Sequence, residues 1–115
     1  MKDSLLQEID NSIKENTVKV KRGEALQRLQ ANRDFKEIFL KGYFEDEAVR
    51  LVHLKSDHAM RHADSQTSII KQIDAIGSVC AYLDEIYRQA DISKAAIESE
   101  ESERELVLQD EEGEY

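Results

Sequence analysis

The stretch HLKSDHAMRHAD, residues 53–64, holds all three histidines of the chain, His53, His58 and His62, with Asp57 and Asp64 beside them. Imidazoles four apart on a helix converge on one ion, and zinc could draw on such a set. The set is incomplete. It lacks the HExxH pattern and any neighbouring cysteine, and residues 57–64 break the helical pattern around them. Off a helix, a spacing of four guarantees no common face, so these residues read as solvated polar groups in a turn. No metal ligand is assigned.

Cys80 is the only cysteine, which excludes an intramolecular disulfide. It falls between Ile76 and Leu83 on an apolar stripe, where a thiol packs as a small hydrophobe. A nucleophilic thiolate needs a partly exposed, electropositive setting, and no histidine is near it in sequence. The acidic pairs Asp46/Glu47 and Asp84/Glu85 could serve acid–base work or bind a metal. They are adjacent residues on solvent-facing arcs, and a chain with 36% charged residues produces such pairs by chance. No phosphate loop, nucleophile elbow or dinucleotide fingerprint is present. The expectation is a protein that is not an enzyme, with no catalytic residue and no cofactor.

The elements that carry these residues are helices. The chain has 115 residues, no proline and four glycines, and is rich in Glu, Gln, Lys, Arg, Leu and Ala. Proline is the residue that helix interiors reject, and its absence points to an all-α chain. Length allows one domain at most. In the first segment, about 3–31, Leu6, Ile9, Ile13, Thr17 and Val20 step by three and four along one helical face. Asp3 or Ser4 is the expected cap. Gly23 interrupts the stripe, which resumes shifted at Ala25, Leu26 and Leu29, so a soft point or bend is expected there.

A second helix is predicted over 35–41, with Asp34 as N-cap and Glu37 in the capping-box position. Gly42 should end or kink it, because glycine alone enters the left-handed region freely. A third, 44–56, starts with acidic residues that suit the positive end of the helix dipole. Four of the seven aromatic residues lie here: Phe35, Phe39, Tyr43 and Phe44. Phe35, Phe39 and Phe44 read as a plug that folds the short helices onto the long ones. Tyr43, beside the glycine and with a polar tip, reads as the exposed contact.

The fourth helix, 65–97, is capped by Asp64 or Ser65. Ile69, Ile73, Ile76, Cys80, Leu83, Tyr87, Ala90, Lys94 and Ile97 step by alternating four and three. That is the heptad seam of a helix packed lengthwise against others. The expected fold is two long helices in an antiparallel hairpin or coiled coil, with two short aromatic-bearing helices between. The packing and interface residues are Phe35, Phe39, Tyr43, Phe44, Ile69, Ile73, Ile76, Cys80, Leu83 and Tyr87.

The net charge of −9 is unevenly placed. Residues 98–115 hold nine acidic residues and one arginine, while the other 97 residues hold 15 basic and 16 acidic ones. A near-neutral domain over 1–97 thus carries an acidic tail, partly helical or disordered. No basic face is concentrated enough to bind phosphates; KVKR at 19–22 is flanked by acidic residues. Direct nucleic-acid binding is therefore not expected. The opening MKDSLLQEIDNS has no apolar run of signal-peptide type, and no stretch approaches the roughly 20 apolar residues of a membrane span. Neither secretion nor membrane insertion is expected.

The run ANRDFKEIFLKGYFEDEAVRLV followed by SIIKQIDAIGSVCAYLDEI resembles a family of small helical proteins encoded by tailed bacteriophages. The resemblance covers about 24–97. It rests on Asn32, Asp34, Phe35, Lys36, Gly42, Tyr43, Glu47, Ala48, Arg50, Leu51 and Val52, then Gln72, Ile76 and Gly77. It implies phage origin, a place in the host cytoplasm or the virion, and a structural or assembly role, and it transfers no catalytic residue. The function expected on this basis is an oligomeric helical module with protein partners, using the seam at 65–97 for self-association or docking. The alternatives are an acidic inhibitor of a host nucleic-acid enzyme, acting through 98–115, and an adaptor coiled coil without a viral role.

Overall fold

The computed structural model describes residues 2–112, with side chains through Asp110. All regular structure in it is helical: α1 (Lys2–Ala31), α2 (Arg33–Phe35), a π-helical stretch (Lys36–Glu47), α3 (Ala48–Ser56), a 3-10 turn (His58–Met60) and α4 (Ala63–Glu112). The all-α class expected from composition holds. The chain divides into two compact units, one formed by 1–25 and 86–115, the other by 26–85.

In the first unit α1 and α4 pack antiparallel. Asp10 pairs with Arg104 at 3.4 Å, the Ser12 hydroxyl donates to Glu100, and Gly23 faces Ala90. As the number rises on one helix it falls on the other, which is the register of a hairpin. Ile9 is buried in this seam, with Leu6, Ile13 and Val20 half-buried at helical spacing.

Gly23 is not the soft point expected from sequence. α1 runs through it without a break, and it is buried. The stripe continues unshifted from Val20 through Gly23 to Leu26, while Ala25 and Leu29 are exposed. A Cβ added at Gly23 would lie 2.5 Å from the Ala90 Cβ, closer than two carbons can stand. Glycine is there so that two helices can touch.

The heptad on α4 also needs one correction. Lys94 is exposed, and Ser93 takes the inward place at 1% exposure. A seam with a period of 3.5 falls between the two positions, and the small residue turns inward because burying an ammonium costs far more. Polar groups line other parts of this seam. Asn16 donates from Nδ2 to the Ser12 carbonyl at 3.0 Å, and Thr17 donates to the Ile13 carbonyl at 2.7 Å. Glu100 keeps one carboxylate oxygen on Ser12; the other is buried with no hydrogen-bond partner.

The acidic segment, expected to be partly helical or disordered, is helical through Glu112, with Ile97, Glu100 and Val107 half-buried and the ion pair to Asp10 holding Arg104. Residues 113–115 lie outside the described residues. Helix starts also differ. α1 begins at Lys2 and α4 at Ala63, so Asp3 and Asp64 sit inside first turns and do not cap them.

In the second unit the core is Leu51, Ile69 and Ile76, with Tyr43, Phe44, Ala48, Leu54, Met60, Ile73 and Cys80 packed against it. Its loop is tied from both sides. The Asp57 carboxylate accepts from the Ala59 amide at 2.9 Å. Gln66 donates from Nε2 to the Lys55 carbonyl at 2.9 Å and the Met60 carbonyl at 2.8 Å. One amide group thus satisfies a carbonyl left over at the end of α3 and another in the turn.

Gly23 and Gly77 should respond in opposite directions to alanine. Gly23→Ala must push α1 and α4 apart, and we expect a loss of about 1–3 kcal/mol. Gly77 is exposed and a Cβ there meets nothing within 4 Å, so Gly77→Ala should gain about 1 kcal/mol of helix preference. Urea unfolding followed by circular dichroism measures both. A gain in stability for Gly23→Ala would refute the close-packed seam.

Candidate functional site

Asn32 is the one non-helical residue between α1 and α2, with φ −69° and ψ 130°. Its amide donates to the Leu29 carbonyl and its side-chain oxygen accepts from the Phe35 amide, both at 3.0 Å. Asn32, not Asp34, is therefore the N-cap. From 33 to 56 helical structure is unbroken. Gly42 does not end a helix: among the described residues no glycine has positive φ, and the interval Lys36–Glu47 adopts π hydrogen bonding, closing each ring one residue later than an α-helix.

That backbone lines up the four aromatic residues. Phe35 stacks on Phe39 with centroids 5.1 Å apart and planes 16° from parallel. Phe39 meets Tyr43 edge-on at 6.2 Å, and Tyr43 leans on Phe44 at 5.6 Å. These are the separations and tilts that aromatic quadrupoles favour. The ladder is anchored at one end only. Tyr43 and Phe44 pack on Leu51, Ile69 and Ile76, whereas Phe39 is 43% exposed and its neighbour Ile38 is 65% exposed. The roles expected from sequence are exchanged. Tyr43 belongs with the packed residues, and Phe39 is the exposed one.

The other expected packing positions fall as follows. Ile69 and Ile76 are buried, Ile73 and Cys80 pack on them, and Leu83 and Tyr87 are half-buried. The seam of α4 expected to mediate self-association or docking thus faces other parts of the same chain at Ile69, Ile73, Ile76 and Cys80. The exposed apolar residues outside the expected packing and interface set include Ile38, Val49 and Val52, the last two one turn apart on α3. Nothing in the residue types marked them, because apolar residues flanking a stripe look the same whether covered or open.

His53, His58 and His62 are all exposed. Among the described residues, no group of three or more His, Cys, Asp or Glu side chains is placed to hold a metal ion. The surface grooves are open ones, such as that bounded by Ala31, Arg33, Asp34, Lys36, Glu37 and Lys41. Among the described residues, no helix is long and apolar enough to cross a membrane.

At the junction of the π stretch and α3, Arg50 grips Glu47 with two bonds, Nε to Oε2 at 2.9 Å and Nη2 to Oε1 at 2.5 Å. These hydrogen bonds, aided by the guanidinium charge and opposed by some desolvation, hold the Glu47 carboxyl below its ordinary range. They raise Arg50 in turn. No protein-family model matches the chain, and no curated protein or solved structure matches it either.

The ion pair makes a signed prediction. A carboxyl lowered in the folded state adds stability above its unfolded pKa, and that stability is lost as pH falls through the lowered folded value. Arg50→Ala should return Glu47 to the ordinary glutamate range. Carbon-13 NMR titration of the side-chain carboxyl reads the upward shift; an unchanged midpoint would mean the pair does not persist in solution.

Proposed function

We propose that this protein is a non-enzymatic helical interaction module, a structural or assembly component of a tailed phage that works as an oligomer with protein partners. One observation carries the reading: the ladder Phe35–Phe39–Tyr43–Phe44 is held by the core at one end and open at the other, leaving Phe39 and Ile38 uncovered. Exposed aromatic and aliphatic anchors are what interfaces use for most of their affinity. Because α4 turns Ile69, Ile73 and Ile76 onto its own chain, association is assigned to Ile38 and Phe39, with Val49 and Val52 adjoining in sequence on α3.

Light scattering after gel filtration tests this. The wild type at micromolar concentration should be dimeric or larger, and Phe39→Ala with Ile38→Ala should weaken association at least tenfold with unchanged helix content. A folded monomer at every concentration, together with absence of the protein from virions and procapsids by mass spectrometry, would overturn the proposal.

A second reading has one observation in its favour. An acidic inhibitor of a host nucleic-acid enzyme needs its charges on a fixed surface. Residues 98–112 are helical, and Glu98, Glu101 and Glu105 are exposed at helical spacing. Substituting these three by glutamine leaves the inward residues Ile97, Glu100 and Val107 in place. If this reading holds, the triple variant should lose retention of a nucleic-acid enzyme from host lysate, and equal retention would remove the reading.

A further inference from the structure

We propose that Lys36–Glu47 is a two-state segment, able to pass between π and α hydrogen-bond registers, and that this passage re-aims Phe35, Ile38 and Phe39. The use of the re-aimed side chains rests on the docking role proposed above; the backbone transition does not, and it is tested without a partner.

Continuity of the backbone comes first. The residues flanking the stretch are already α-helical, Phe35 at φ −62°, ψ −43° and Ala48 at φ −61°, ψ −44°. Conversion therefore requires no residue to leave the right-handed helical region. It requires each amide to exchange the carbonyl five residues back for the one four back. Isolated π turns inside α-helices cluster at functional sites, and here the register extends over 12 residues.

Anchoring comes second. Tyr43, Phe44 and Ala48 pack on the core, and Phe35, Ile38 and Phe39 are not part of that cluster. No residue of the stretch is fully buried. Conversion ahead of Tyr43 turns the free half relative to the fixed half, because each ring that loses a residue changes the rotation of everything before it. The two ends of the aromatic ladder then separate in direction while the core is undisturbed.

The third observation is Gly42. It lies just before the anchor, and a Cβ there would stand 3.1 Å from the Glu37 carbonyl oxygen. That carbonyl is five residues back, the partner the π register gives to the Gly42 amide. A methyl group crowds this approach. The absence of a side chain thus favours the π form at the position where the free half meets the fixed one.

NMR on the full isotope-labelled chain distinguishes the registers, since couplings across hydrogen bonds identify which carbonyl each amide uses. The wild type should show five-back couplings across 41–47. Gly42→Ala should shift the population toward four-back couplings at least about fivefold and weaken the Phe35–Phe39 ring contact, with Tyr43 and Phe44 still on the core. Retention of five-back couplings in the variant overturns the proposal. So do four-back couplings throughout the wild type. Should Gly42→Ala not fold, relaxation dispersion on the wild type decides: exchange at 36–42 that is absent at 48–56 supports two states, and flat profiles overturn them.

Discussion

At Gly23 and Ala90 the two long helices stand so close that one further methyl group does not fit. Such a contact admits little sliding, and it sets the terms for the rest of that unit. With the backbones this near, the small and polar residues Ser12, Asn16 and Ser93 share the seam with Leu6, Ile9, Ile13 and Val20. What stability it loses in buried apolar area it recovers in definition. A half-buried polar pair such as Ser12 and Glu100 is satisfied in one register and orphaned in any register shifted along the helix. Glu100 already has one buried oxygen without a partner, so this carboxylate owes its tolerance to the single bond from Ser12.

The second unit solves a different problem. Its core is built from Leu51, Ile69 and Ile76, and three fully apolar residues cannot close a helical unit alone. Aromatic side chains supply the remaining area, since each can bury about 150–250 Å². To bring Tyr43 and Phe44 onto that core while stacking Phe35 and Phe39 behind them, the backbone departs from the α register. The same arrangement leaves the far end of the ladder uncovered. Closure at the other end falls to Gln66, whose one amide nitrogen bonds Lys55 and Met60.

Much of this was legible in the residues. Absence of proline and the four–three spacing on α4 specify helices packed lengthwise, and Ile69, Ile73, Ile76 and Cys80 face inward as that spacing requires. The two glycines were misread for one physical reason. Sequence marks where a side chain is missing but not whether the gap serves a turn, a close approach or an altered hydrogen-bond register. Gly23 serves the second and Gly42 the third. Lys94 and Ser93 straddle a seam whose period is not an integer, so size and charge decided between them. The exchange of Phe39 and Tyr43 has the same origin as the π stretch: which aromatic is covered depends on the phase of the helix after Asn32, and a one-residue change in ring closure resets that phase.

The acidic end shows how composition alone can mislead about order. Nine acidic residues in 98–115 suggest a segment that repels itself into disorder. Helical spacing lets the same segment separate its functions, with Ile97, Glu100 and Val107 turned toward α1 and Glu98, Glu101 and Glu105 toward solvent. Repulsion between exposed carboxylates is weakened by water and salt, whereas the inward contacts and the Asp10–Arg104 pair are made only when the helix is formed. Arg104 is the sole basic residue in that stretch, and it lies one turn beyond Glu100, beside α1. A segment with little apolar content is thus held as helix because its few inward groups meet the N-terminal helix in the register that Gly23 and Ala90 impose.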